Sequence, residues 1–89
     1  MAWIINFADI VEKQFAKFSY SEQNRIRNFL VKRVATLENP RCIGEALKDK
    51  RFSGLWRYRV GDSRIICDIR DKEIIILVVG IGHRSKVYK

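Results

Sequence analysis

Apolar residues recur along this chain with two different periods, and the change from one to the other divides it. Ala2–Phe7 is a short apolar stretch with aromatic and β-branched residues, which predicts a strand. Asp9 and Glu12 follow in a capping-box pattern, with the Asp9 carboxylate serving the open amides of a new helix. Val11, Phe15 and Phe18 then recur at i, i+4 and i+7, the spacing of one buried helix face. Ser19–Ser21 breaks that pattern and caps a second helix, along which Ile26, Phe29, Leu30, Val34 and Leu37 form one apolar stripe. Arg25, Arg27, Lys32 and Arg33 lie largely outside the stripe. Asn39-Pro40 ends the helix, because a residue before proline is pushed out of helical geometry. Residues 1–40 therefore read as a strand followed by two antiparallel helices.

Residues 41–54 form a polar connector, punctuated by Gly44 and Gly54 and anchored by Leu47. Beyond it the period drops to two. Leu55–Val60, Arg64–Arg70 and Glu73–Ile81 are strand-like runs separated by Gly61-Asp62 and Asp71-Lys72. Glycine at the first central position suits a type II′ hairpin turn, so the three runs make an antiparallel meander. With two-residue loops, Arg59 faces Arg64, Arg57 faces Ile66, Arg70 faces Glu73, Cys67 faces Ile76 and Ile65 faces Val78. Alternation then puts Trp56, Tyr58, Val60, Ile65, Cys67, Ile69, Ile74, Ile76 and Val78 on one apolar face, the one the helices cover. Arg57, Arg59, Arg64, Asp68 and Arg70 share the other face with Ile66, Leu77 and Val79, and continuing the period brings His83 there too. The predicted fold is α+β: one small domain over 1–89, an N-terminal strand, two helices, then a three-strand meander with the helices packed on one face of the sheet.

Length and composition agree. Eighty-nine residues, 47% hydrophobic and 31% charged, make one compact domain. So short a chain buries roughly two-thirds of its unfolded surface, and a partner covering apolar area would steady it. Cys42 and Cys67 make no disulfide framework, and one histidine with two distant cysteines makes no plausible zinc site, so no metal or cofactor is expected. The N-terminus lacks the basic lead of a secretion signal, and the longest apolar run, Ile74–Val79, is far too short to span a bilayer. The expectation is a cytoplasmic protein without a membrane partner.

Charge adds the functional hint. The net charge is +8, and it is uneven: residues 1–40 hold six Lys and Arg against four Asp and Glu, whereas 41–89 hold twelve against six. A cationic surface in the second half suits a polyanion or an acidic protein. On the predicted sheet Arg59 and Arg64 stand opposite each other with Arg57 two residues away, and like charges so placed repel. An anion should sit among them, and guanidinium groups offer phosphate a rigid fork of donors. The competing reading is internal neutralisation by Asp68, Glu45 or Asp49. His83 lies just past a strand end in a group of basic residues and titrates near neutral pH, which suits proton transfer; a lone histidine is otherwise structural or exposed. The phenol of Tyr88 could stack on a base or carry a proton. The helix residues Arg25, Arg27, Lys32 and Arg33, with Lys48, Arg51 and Lys86, are basic positions suited to RNA contact or to a solvated face.

The stretch Phe52-Ser53-Gly54-Leu55-Trp56-Arg57-Tyr58-Arg59-Val60-Gly61-Asp62-Ser63-Arg64-Ile65-Ile66, with Ile81-Gly82-His83-Arg84-Ser85-Lys86-Val87-Tyr88, resembles the RelE branch of the RelE/ParE toxin superfamily. The order of elements is similar over the whole chain, the motifs over about residues 44–89. The resemblance implies the toxin of a bacterial type II toxin–antitoxin pair. Such toxins enter the ribosomal A site and cut mRNA without a metal ion: the 2′-hydroxyl attacks the adjacent phosphate, leaving a 2′,3′-cyclic phosphate and a 5′-hydroxyl. By resemblance, Arg57, Arg59 and Arg64 orient and stabilise the phosphate, and Tyr88 assists the 2′-hydroxyl or stacks on the substrate. Some members carry an arginine, assigned as general acid, where this chain has Gly82. Others have Gly-His-Arg there, which assigns acid or base work to His83 and phosphate binding to Arg84. The implied partners are an acidic, RelB-like antitoxin, the ribosome carrying mRNA, and operator DNA only through the antitoxin. Two alternatives compete: a ParE-like gyrase inhibitor without nuclease activity, and an RNA-binding module whose catalytic set has decayed, with Gly82 as its best support.

Overall fold

A computed structural model describes residues 2–48, 51 and 53–83, His83 by its backbone alone. Strand β1 (Ile4–Phe7) leads into helix α1 (Asp9–Phe15) and helix α2 (Tyr20–Asn28), which runs on into a π-helical turn over Phe29–Val34. A 3₁₀ turn (Pro40–Cys42) and a two-residue strand β2 (Glu45–Ala46) precede β3 (Trp56–Val60), β4 (Ser63–Arg70) and β5 (Ile75–His83). The sheet is mixed, in the order β1-β5-β4-β3-β2, with β1 parallel to β5 and the other pairs antiparallel. The predicted meander is present as β3–β5. The connector, however, contributes an edge strand that the polar composition of 41–54 concealed.

The helix ends repay close reading. Ser19 caps α2 with a full capping box: its hydroxyl accepts from the Glu22 amide at 3.2 Å, and the Glu22 carboxylate accepts from the Ser19 amide at 3.3 Å. Asp9 is not a cap. It is the first residue of α1, after an extended Ala8 with no side-chain cap, and with Glu12 it puts negative charge at the positive end of the helix. The two helices are tied by Gln23, whose amide donates to the Phe15 and Phe18 carbonyls, both at 3.0 Å. Past Asn28 the helix widens, and Ala35 donates to Leu30, five residues back, at 2.8 Å. The wider turn still turns Leu30 and Val34 fully into the core, as the apolar stripe requires.

The core lies between the helices and one face of the sheet. Val11, Phe15, Phe18, Ile26, Leu30 and Val34 meet Tyr58, Val60, Ile65, Cys67, Ile69, Ile76, Val78 and Ile81, with Trp3, Ile5 and Phe7 packed at the edge. Phe7 stacks on Phe15 with centroids 5.8 Å apart, and Phe18 meets Phe15 edge-on. The first hairpin is as predicted: Gly61 has φ 59°, and Arg59↔Arg64 and Arg57↔Ile66 are in register. Asp62 keeps a negative φ, as a type II′ turn requires.

The second turn differs. It spans Asp71–Ile74, with Ile74 itself at φ 55°, so Arg70 pairs with Ile75 and Cys67 with Val78. That is a two-residue slip from the predicted register, and a slip of two leaves every side chain on its own face. A bulge then intervenes: Cys67 pairs with Val78 but Ile66 with Gly80, so Val79 is an extra residue on β5. After it the alternation is reversed. Ile81 pairs with Ile65 and is buried, Gly82 pairs with Arg64, and His83 pairs with Ser63. The period-two count along β5 therefore does not carry past the bulge, and the side chain of His83 lies outside the described residues. Beyond the end of β1, the Ile81 amide is satisfied by Gln14 of α1 at 2.9 Å.

Candidate nucleic-acid interface

The sheet face away from the helices carries the chemistry. Its β3–β4 half is basic. Arg59 and Arg64 occupy directly opposed positions, with Arg57 beside Arg59 on β3 and Arg70 at the far end of β4. Its β1–β5 half is apolar, with Ile4 half exposed and Ile75, Leu77 and Val79 partly so. The hairpin is what brings the arginines together: its glycine-led turn sets the register, and at that register the two opposed positions are both arginines.

Arg57 and Arg70 of this face have carboxylate partners among the described residues. Arg57 forms an ion pair with Glu45, the residue opposite it on β2. Arg70 pairs with Asp68 at 3.1 Å and lies 3.9 Å from Glu73. Arg59 is exposed and makes no ion pair among the described residues. Internal neutralisation, the competing reading of the cluster, thus accounts for Arg57 through Glu45, whereas Asp68 serves Arg70. Asp49 lies outside the described residues.

Glu45 reaches Arg57 because the connector is fastened upstream of it. The Asn39 side chain accepts from the Arg41 amide at 3.0 Å, shaping the 3₁₀ turn. The buried Tyr58 hydroxyl donates to the Pro40 carbonyl at 2.6 Å. The Arg41 guanidinium grips both oxygens of Asp71 at 2.9 Å and reaches the Ile69 carbonyl. Trp56 donates its indole N–H to the Ile43 carbonyl at 2.7 Å. Gly44, at φ 81°, lies so close to β3 that a Cβ there would stand 2.5 Å from the Arg57 carbonyl oxygen. The Arg41 pairing holds the Asp71 carboxyl below the usual carboxylate range, and burial pushes the Tyr58 phenol well above the range of a free tyrosine.

The remaining predicted residues are distributed differently. Arg25, Arg27, Lys32 and Arg33 belong to the helix layer, across the sheet from Arg57, Arg59 and Arg64, so the two basic sets do not form one surface. Arg25 comes closest, its guanidinium packed over Gly61 at the hairpin turn. The Arg27 guanidinium sits 4.9 Å above the Phe15 ring, in a groove with Phe7, Glu12, Ala16 and Gln23. Lys48 and Arg51 are exposed at the edge of the described connector. Arg84, Lys86 and Tyr88 lie outside the described residues. Among the described residues no His, Cys, Asp and Glu group could hold a metal ion, and no helix is long and apolar enough to cross a membrane. Glu45 was legible only as a nearby acid; its strand pairing with Arg57 needed the structure.

The chain resembles solved toxins over nearly its whole length. It superposes on the toxin–antitoxin complex RelBE2 of Mycobacterium tuberculosis with a TM-score of 0.84 at 16% identity, covering 97% of this chain and 95% of that one. The intact E. coli RelBE complex gives 0.73 at 13% identity, covering 96% and 100%. An archaeal RelE–RelB complex from Pyrococcus horikoshii OT3 gives 0.64 at 21%, covering 98% and 100%. No curated protein sequence matches. The family model that matches residues 6–88 is that of the ParE toxin of the type II toxin–antitoxin system parDE. The chain belongs to the ParE toxin family, and is a type II toxin of the RelE/ParE superfamily.

Proposed function

We propose that this toxin is a ribosome-dependent endoribonuclease that cleaves mRNA in the A site. The observation that supports the reading is the Arg59–Arg64 opposition on the sheet face away from the helices. Like charges placed directly opposite each other repel, whereas a phosphodiester between them turns repulsion into charge-assisted contacts. In the proposed reaction the 2′-hydroxyl loses its proton and attacks the adjacent phosphorus, and the 5′-oxygen leaves with a proton. Arg59 and Arg64, with Arg57, stabilise the charge that builds on the non-bridging oxygens, the task a metal ion performs in other nucleases. His83, Arg84 and Tyr88 are the groups assigned to proton transfer and to holding the substrate. Lys48, Arg51 and Lys86 extend the RNA contact, and Arg25, Arg27, Lys32 and Arg33 meet ribosomal RNA.

The partner is a cognate antitoxin, as in the RelE–RelB complexes of similar fold. An acidic chain suits the +8 charge, and its apolar residues suit the β1–β5 half of the face away from the helices. Operator DNA is reached through that antitoxin, and the complex works in the cytoplasm. The second reading, a gyrase inhibitor without nuclease activity, is favoured by the family model, which is that of ParE. Mapping of 5′ ends on mRNA-programmed ribosomes separates the two. Cuts confined to the A-site codon, with cyclic-phosphate ends, support the nuclease; intact mRNA together with inhibited gyrase supercoiling supports the other.

A further inference from the structure

We propose that Glu45 is a resident counter-ion of the basic face, a carboxylate that an incoming phosphate group must displace from Arg57. The proposal rests on the reading of this face as a nucleic-acid site, and adds what regulates its affinity.

Glu45 is placed by architecture. A two-residue edge strand cannot fix its own register, and an exposed ion pair between long side chains rarely holds one geometry. Here the register of β2 is set upstream by the Tyr58–Pro40 and Trp56–Ile43 bonds, by the Arg41–Asp71 clamp and by the close approach of Gly44 to β3. The chain therefore leaves Gly44 with Glu45 opposite Arg57. Arg57 is well covered, its side chain 21% exposed, while Glu45 is 56% exposed and can swing into solvent.

This produces two grades of cation on one face. Arg59 makes no ion pair among the described residues and is open to an anion. Arg57 already carries one. Carboxylate and phosphate offer a guanidinium the same paired acceptors, so displacement exchanges one charge-assisted contact for another. A phosphate engages Arg59 first, and gains Arg57 only as Glu45 leaves. The carboxylate thereby lowers affinity for loose anions while keeping Arg57 extended toward the site.

The test is an NMR titration of the full-length chain with inorganic phosphate at low ionic strength, following the arginine side-chain Nε–H signals. In the wild type the Arg57 signal should respond at higher phosphate than that of Arg59. In Glu45→Gln its midpoint should fall about two- to fivefold, with the Arg59 midpoint little changed. An Arg57 midpoint that stays put or rises, or an Arg57 signal silent in both proteins, overturns the proposal. Glu45→Asp, which keeps the charge but withdraws it by one methylene, should shift the midpoint the same way and serves if the glutamine variant does not fold. Silence of Arg59 and Arg64 would count against the nucleic-acid reading itself, and is scored separately from the Glu45 dependence of Arg57.

Discussion

The two faces of the β3–β4 hairpin are built from alternate residues of the same strands, yet they answer to different demands. On one side Tyr58, Val60, Ile65, Cys67 and Ile69 are buried against the helices. On the other, Arg57, Arg59, Arg64, Asp68 and Arg70 lie beyond the helix layer, and two of them are like charges in register. The first face follows the rule that apolar area leaves water; the second breaks the rule that like charges stay apart. A local conflict kept within an otherwise consistent hairpin marks the side where something other than folding sets the residues. The lesson is that stability and function should separate by face, at alternate positions within each strand.

Substitutions in the core, the connector and the basic face, and the acid behaviour of one clamp, test that separation. The largest effect belongs to the core: Leu30→Ala should cost about 2–5 kcal/mol of unfolding free energy, measured by urea denaturation. Gly44→Ala comes next. A Cβ against the Arg57 carbonyl at positive φ should cost about 1–3 kcal/mol, and should loosen the connector as read by amide exchange. Arg59→Ala should change stability by no more than about 0.5 kcal/mol, or raise it slightly by relieving repulsion. Under the proposed function that change and Arg64→Ala should each reduce mRNA cleavage by about a hundredfold or more. A destabilised Arg59→Ala, or a folded one that cleaves normally, would merge the two faces again. The smallest effect is the pH dependence of the Arg41–Asp71 clamp. Because the folded carboxyl lies below its ordinary value, the clamp contributes fully above the usual carboxylate range and fades as the pH falls through the lowered one. Asp71→Asn should flatten that part of an acid-unfolding curve.

The sequence was most readable where a local rule had no competitor. Gly61-Asp62 allows one tight turn, so the hairpin register, both its faces and the Arg59–Arg64 opposition could be read from residues alone. The helix stripe was equally plain, since Ile26, Leu30 and Val34 satisfy the core whether the turn between them is α or π. Asp71-Lys72 misled because the β-branched run after it looks like strand from Ile74 onward. In fact Ile74 is drawn into the turn, where its carbonyl accepts from the Ile4 amide. That is a tertiary bond, and periodicity carries no sign of it. The bulge at Val79 was invisible for the same reason, and the simple count along β5 stops at it. The connector hid most. Its strand is two residues long, and Glu45 finds Arg57 only through bonds from Tyr58, Trp56 and Asp71, all distant in sequence.

The bulge also has a consequence for how the chain can change. Val79 is the residue that lets Gly80 stand opposite Ile66 and Ile81 opposite Ile65. Were β5 to run straight on from Val78 at its full length, every later residue would fall one place short, and Ile81 would leave the core to stand opposite Arg64. Removing Val79 itself would restore the simple rhythm and leave Gly80, Ile81 and Gly82 with the partners they have now. The segment therefore holds one residue of slack, and losing that residue leaves both faces of the sheet as they stand.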